Sequence, residues 1–291
     1  MYKVDNAVIM AAGMSSRFAP LSYEKPKALI SVRGEVLLER QIHQIQEAGI
    51  SQIILVTGYQ KEQFSYLKEQ CGVVLVDNPD YLSRNNNSSI FAARHHLGNS
   101  YICSTDNYFG RNPFECEVAE SYYAAVYADG KTNEWCMEED ESGYIRSVQI
   151  GGENAWYMLG HAFWSKDFSE TFLGILEREY ELPKTHDLLW ESIFSAHLSK
   201  LPMKIRKYQN EDIYEFDSLD ELREFDPAYK VKSGSAILAE VAGRLGCKEG
   251  ELTSLVPAKN DAGKVVGFCF STPQVAYQYD YESGKMEVIA K

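Results

Sequence analysis

Apolar runs alternate with amphipathic stretches through the first hundred residues. Ala7–Met10 reads as a buried strand, and Ile53–Thr57, Val73–Val76 and Tyr101–Thr105 repeat the pattern. Between them the spacing shifts to the helical period. Val36–Ala48 carries Leu38, Ile42 and Ile45 on one face and stops at Gly49. Lys61–Gln70, ended near Gly72, and Asn86–Leu97 read as two further helices. This alternation predicts an α/β fold, a Rossmann-like, mainly parallel (mixed) sheet flanked by helices. Ligands of such sheets sit beyond the carboxyl ends of the strands. The loop after Met10 and Asp106, which ends the fourth strand, are therefore expected to face one site.

The middle of the chain changes character. Tyr122–Ala128, Tyr144–Ile150 and Trp156–Trp164 read as strands, with Gly143 and Gly151-Gly152 as turns. Phe168–Tyr180 and Asp187–Leu198 read as helices, and Met203–Lys207 and Ile213–Asp217 as short strands. Asp217 and Ser218 suit the start of a helix that closes a first domain, residues 1–227, near Pro227. Residues 228–291 form a separate small α+β module. Ser235–Leu245 is its helix, stopped by Gly246, and Val265–Phe270, Val275–Tyr279 and Met286–Ile289 form a small antiparallel sheet.

Composition narrows the classes of partner. The chain has 291 residues, 45% hydrophobic and 24% charged, as a globular protein does. A net charge of -13 argues against nucleic acid or an anionic membrane as the main partner, but not against a small anionic ligand. Six cysteines without C-x-x-C spacing fit a reduced protein with free thiols. With no apolar run of membrane-spanning length and no signal-peptide pattern, a cytoplasmic location is expected.

The candidate chemistry begins at the first strand. Val8-Ile-Met-Ala11-Ala12-Gly13-Met14-Ser15-Ser16-Arg17-Phe-Ala-Pro20 runs from an apolar strand into a loop of small residues, and Pro26-Lys27 follows. Small residues let backbone N–H groups approach phosphates closely. Arg17 and Lys27 supply the positive charge that a leaving pyrophosphate needs. The loop is neither a P-loop nor a G-x-G-x-x-G dinucleotide fingerprint. Asp106 and Asp217, both at predicted strand ends, would make a two-carboxylate magnesium site. Asp106 also suits a turn cap, and Asp217 a helix N-cap. All four tryptophans fall between residues 135 and 190, near acidic residues such as Glu134 and Asp187. Aromatic faces with nearby negative charge hold a quaternary ammonium group, although Trp156 and Trp164 lie in an apolar run and suit the core. The histidines show no metal-ligand spacing, and no nucleophile elbow is present.

The opening loop resembles the nucleotidyltransferase signature G-x-G-x-R-x-x-P followed by P-K. Gly13, Arg17, Pro20, Pro26 and Lys27 match, and Ser15 stands where that signature has its second glycine. Gly58-Tyr59, Asn86-Asn87, Asp106-Asn107-Tyr108, Thr132-Asn133-Glu134-Trp135, Asp187-Leu-x-Trp190 and Ile213-Tyr214-Glu215-x-Asp217-Ser218 extend the resemblance to roughly residues 5–227. Together they resemble the bacterial CTP:phosphocholine cytidylyltransferases. The resemblance implies a nucleotidyltransferase (GT-A-like) fold. It also implies Mg2+-dependent transfer of a cytidylyl group from CTP to phosphocholine, giving CDP-choline and pyrophosphate. Carried over by motif, Arg17, Lys27 and Asp106 are catalytic. Ala11 to Arg17, Lys27, Asn86, Ser88 and Asp106 bind nucleotide. Glu134, Trp135, Asp187, Trp190 and Tyr214 bind the acceptor, the three aromatics as a choline cage, and Asp106 and Asp217 hold the metal. Two alternatives stand beside this reading: a cytidylyltransferase for another aminoalkyl phosphate or phosphonate such as 2-aminoethylphosphonate, and a non-catalytic nucleotide-binding regulatory module. The tail, from Ile237 through Phe268-x-Phe270 to Tyr277, resembles the start of choline-kinase-like domains. It lacks their H-x-D and D-x-D segments, so a remnant or docking module is expected there.

Overall fold

Five of the six residues of the first strand are buried, and every residue of the second is. That is the pattern of strands covered on both faces. The computed structural model describes residues 1–289, and these fall into two compact units. The first comprises Met1–Gly13 and Leu37–Glu215, the second Met14–Val36 and Phe216–Lys291.

In the first unit, β1 (Asn6–Ala11), β2 (Ile53–Thr57), β3 (Val74–Asp77) and β4 (Ser100–Ser104) pair in parallel, with β1 between β2 and β4. The amphipathic helix α1 (Leu37–Glu47) buries Leu38, Ile42 and Ile45, as its spacing predicts. The two helices expected next are shorter. Lys61–Phe64 is a 3-10 turn leading to α2 (Tyr66–Cys71), and α3 (Asn87–Ala92) gives way to a 3-10 turn at Arg94–His96.

The largest departure lies in the middle. The three expected strands are two: β6 (Tyr122–Glu139, 18 residues) and β7 (Ile145–Trp164, 20 residues), paired antiparallel after the short β5 (Asn107–Phe109). Gly151-Gly152 does not turn the chain back. Gly151 has φ +81°, and the register shifts between Thr132↔Gly152 and Trp135↔Ile150, so a bulge absorbs the residues that read as a turn. After β7 come α4 (Lys166–Glu179), α5 (Trp190–Ala196), β8 (Lys204–Lys207) and β9 (Ile213–Glu215). The seven-stranded sheet runs β8-β6-β7-β4-β1-β2-β3 and is mixed, mostly parallel, as expected. Away from it, β9 pairs antiparallel with β5, setting Glu215 opposite Asn107. One core cluster gathers Trp164, Phe168, Phe172, Trp190 and Phe194, with the Trp164 and Trp190 rings 5.0 Å apart.

The second unit takes in the opening loop as well as the C-terminal stretch. Its helix α6 (Leu219–Phe225) is capped by Ser218, whose hydroxyl accepts from Glu221 N. Further along, α7 (Ala236–Leu245) is capped by Ser235 and stopped by Gly246 in the left-handed region. A four-stranded meander follows: β10 (Thr253–Lys259), β11 (Val265–Ser271), β12 (Ala276–Asp280) and β13 (Met286–Ile289). The first of these strands carries no clear sequence signal. It contains Pro257 and lies at the sheet edge, where a missing N–H is tolerated. Among the described residues, all six cysteines are free, and no helix is long and apolar enough to cross a membrane.

One buried polar group carries a measurable consequence. His161, 1% exposed on β7, has its Nε2 2.8 Å from Tyr122 Oη and its Nδ1 without a partner. Burial, helped by the Arg206 charge, lowers its pKa to about 3. The unfolded chain therefore takes up a proton below the ordinary value of 6.5 that the folded chain refuses. Stability should fall by about 1.4 kcal/mol per pH unit from this group as pH drops below 6.5. Denaturant titrations between pH 7 and pH 4 should show a shallower loss in His161→Gln than in the wild type.

Candidate active site

The residues expected to hold phosphate leave β1 in sequence. Ala11 and Ala12 are buried, and Ala12 accepts from Tyr59 N at 3.0 Å. Gly13 is exposed. A Cβ built on it would meet nothing within 4 Å, and its φ is not in the left-handed region. Neither packing nor backbone conformation of the free protein requires glycine here, which leaves close approach by a ligand as the physical reason for one.

Ser15 is the reverse case. Its φ and ψ are 46° and 45°, the left-handed region that favours glycine. This explains why the signature that the loop resembles has glycine at this position. Ser16–Phe18 forms a 3-10 turn, and the guanidinium of Arg17 donates to Asp217 Oδ2 at 2.6 Å. The Arg17 side chain is 72% exposed. An ion pair of that exposure contributes only about 0–1 kcal/mol, so Arg17 can exchange it for a phosphate at little cost. Lys27, by contrast, is buried, its Nζ 5.3 Å from the Phe18 ring centre. Asp217 does not cap a helix. Ser218 does that, while Asp217 N donates to Glu221 Oε2 and leaves the carboxylate to Arg17.

In the first unit, Asp106 lies just beyond β4, with Ser104 Oγ 2.5 Å from its Oδ1. Pairing of β5 with β9 delivers Glu215 to it, and carboxylate oxygens of the two lie within 4.8 Å of each other. Two hard oxygen donors at that spacing fit a divalent cation such as magnesium. Glu215 sits inside a motif quoted above but was not itself expected as a site residue. Its signal was there: it alternates with Tyr214 on the strand that ends two residues before Asp217.

The acceptor residues divide. Trp135 is half-buried on β6, Tyr214 is half-buried with its ring 6.4 Å from that of Tyr108, and Glu134 and Asp187 are exposed. Trp190 is 1% exposed and belongs to the core. Tyr123 stacks over it at 5.5 Å, and Trp164, Phe172 and Phe194 surround it. It cannot present a ring face to a ligand, which corrects its expected place as a cage wall. Ser88 is likewise 1% exposed, its hydroxyl between Asn78 Nδ2 and Asn85 O, so its side chain is not open to nucleotide. The Asn86 side chain accepts from Trp190 N and donates to Glu191 Oε2, tying the loop before α3 to the start of α5.

Sequence reasoning also missed Glu191 and two tyrosines. Tyr123 Oη donates to Glu191 Oε1 at 3.1 Å. Burial pushes the Glu191 carboxyl up to about 7, against the pull of Asn86 and Tyr123 and with the Asp106 charge adding to the rise. The phenol of Tyr157 is raised by burial and then by Glu134 and Glu215, which puts both carboxylates in its field. This part of the unit thus sets acidic groups close to tyrosines.

The MobA-like NTP transferase domain family matches residues 7–110. The choline-phosphate cytidylyltransferase of Streptococcus pneumoniae is 33% identical over 77% of this chain and 98% of its own length. The chain belongs to the choline-phosphate cytidylyltransferase family. The solved structure of the pneumococcal CTP:phosphocholine cytidylyltransferase superposes with a TM-score of 0.74 at 32% identity, covering 78% of this chain and 99% of that one. A 2-aminoethylphosphonate cytidylyltransferase of Lancefieldella rimae is 36% identical over 77% of this chain and 93% of its own. The family thus holds two acceptor chemistries on one nucleotidyltransferase fold.

Two substitutions separate conformation from packing at this site. Ser15→Gly should fold at least as well as wild type, whereas Ser15→Val, β-branched at a left-handed position, should lose about 1–3 kcal/mol in denaturant titrations. Trp190→Ala should lower stability by about 3–5 kcal/mol, as core truncations do. A change confined to acceptor KM at wild-type stability would return Trp190 to the pocket wall.

Proposed function

We propose that the protein transfers a cytidylyl group from CTP to phosphocholine, giving CDP-choline and pyrophosphate. The observation that carries this reading is Gly13, a glycine that neither its own backbone nor any neighbour requires. It stands at the start of a loop that goes on to Arg17 and Lys27, in a chain of cytidylyltransferase ancestry. Backbone N–H groups of the loop would hold the triphosphate, with Arg17 moving from Asp217 to the phosphates. Lys27, already buried, would neutralise charge without a large desolvation step on binding.

An oxygen of the acceptor phosphate attacks the α-phosphorus in line. The new P–O bond forms as the bond to the β-phosphate oxygen breaks, and pyrophosphate leaves with that electron pair. A phosphate monoester has its second pKa near about 6, so the nucleophile is already ionised and no general base is needed. Asp106 and Glu215 would hold magnesium. Bound there, the ion would neutralise phosphate charge as pyrophosphate departs.

The acceptor's cationic end would be met by the carboxylates of Glu134 and Glu215, whose charges both reach Tyr157. The burial of Trp190 gives a second reading some weight. With one aromatic face fewer than expected, the neighbouring carboxylates would also suit a primary ammonium, which needs hydrogen-bond acceptors. The acceptor would then be 2-aminoethylphosphonate.

Pyrophosphate release from CTP with phosphocholine, phosphoethanolamine and 2-aminoethylphosphonate in parallel tests both. Phosphocholine should give the highest kcat/KM; a higher value for the phosphonate selects the second reading. Asp106→Ala and Lys27→Ala should each lower kcat by roughly a hundredfold or more. Gly13→Ala should leave stability unchanged while raising the KM for CTP. Wild-type turnover in both the Asp106 and Lys27 variants would refute their roles.

A further inference from the structure

The loop bearing Arg17 and Lys27 does not group with the strand it leaves. Met14–Val36 belongs to the same compact unit as the C-terminal stretch, and residues 225–281 hold it at five places. Glu24, in the short helix Leu21–Glu24, accepts from the hydroxyl of Ser235, from Ala236 N at 2.8 Å and from Ile237 N at 3.3 Å. Those are the N-cap and the first free donors of α7, so the carboxylate is fixed by both hydrogen bonds and the helix dipole. Tyr23 stacks on Tyr281 with ring centres 3.8 Å apart and planes 7° from parallel. Arg33 N donates to Asp226 Oδ2 at 2.7 Å while its guanidinium lies over the Phe225 ring. Tyr229 Oη donates to Ser31 O. Strand β10 lies against the Ser16–Phe18 turn itself.

We infer that the C-terminal module is a brace for the catalytic loop, and that Glu24 is the positioning residue through which it acts. The inference deepens the nucleotide-binding reading of that loop and rests on it. The physical need is plain. The small residues that open the segment, with Ser15 in a left-handed conformation, offer few side-chain atoms to hold the loop in place. Fixing it beforehand removes an ordering cost from nucleotide binding. The pneumococcal relative is matched along 98% of its own length by 77% of this chain.

Full-length Glu24→Ala, Glu24→Gln and Tyr281→Leu proteins test this through steady-state kinetics and hydrogen exchange of residues 14–36 without substrate. In Glu24→Ala the KM for CTP should rise, or kcat/KM for CTP fall, by roughly ten- to a hundredfold. The KM for the acceptor should stay within about twofold, and exchange of residues 14–36 should speed up. Glu24→Gln, whose amide oxygen still accepts, should recover most of the loss. Tyr281→Leu should move both readouts the same way, and it decides the matter if Glu24→Ala does not fold. Wild-type CTP kinetics with unchanged protection of residues 14–36 in the folded variants overturns the brace. A wild-type protein that does not use CTP overturns the nucleotide reading instead, and the exchange arm still decides whether the loop is braced.

Discussion

A strand covered on both faces is built mostly of apolar residues, and its ends are where it meets solvent. β1 lies between β2 and β4 in parallel register, with Val8 and Ile9 fully buried. Because all three run the same way, their carboxyl ends, and so Ala11, Thr57 and Ser104, emerge on one edge of the sheet. Everything chemical in the first unit hangs on that edge. Asp106 is placed by β4, and Glu215 is brought beside it by the β5–β9 pairing that begins one residue later.

Charge in this site is managed by burial rather than by number. The protein is strongly acidic, yet the groups expected to meet phosphate are treated separately from the bulk. Lys27 is buried and Arg17 exposed but held by Asp217. Burial raises the Glu191 carboxyl, and the Asp106 charge adds to the rise.

Much of the fold was legible because burial in a parallel sheet writes itself as continuous apolar runs, and helices write themselves as faces. The parallel strands, α1, and the stops at Gly49 and Gly246 follow from such local rules. The β6–β7 ribbon did not, because its outer half leaves the core and loses the alternation that marks a strand, and Gly151-Gly152 forms a bulge instead of a turn. Edge strand β10 hid behind Pro257. Of the expected site residues, Arg17, Lys27 and Asp106 were visible by motif. Glu191 and Tyr123 were not, since what distinguishes them is the hydrogen bond between residues 68 positions apart.

The amino-acid sequence by itself determined the sheet, the phosphate loop with its cations, and membership of a cytidylyltransferase lineage. These depend on local patterns of burial, small residues and charge that survive without knowledge of neighbours. The tertiary structure alone decided which aromatic rings have a free face and which segment carries the loop. Trp190 reads like a cage residue until Tyr123 and Trp164 are seen packed on it. Glu24 reads like a surface acid until the start of α7, more than two hundred residues away, is found in its grasp. Both are facts of long-range packing, and packing between distant segments leaves no trace in spacing along the chain.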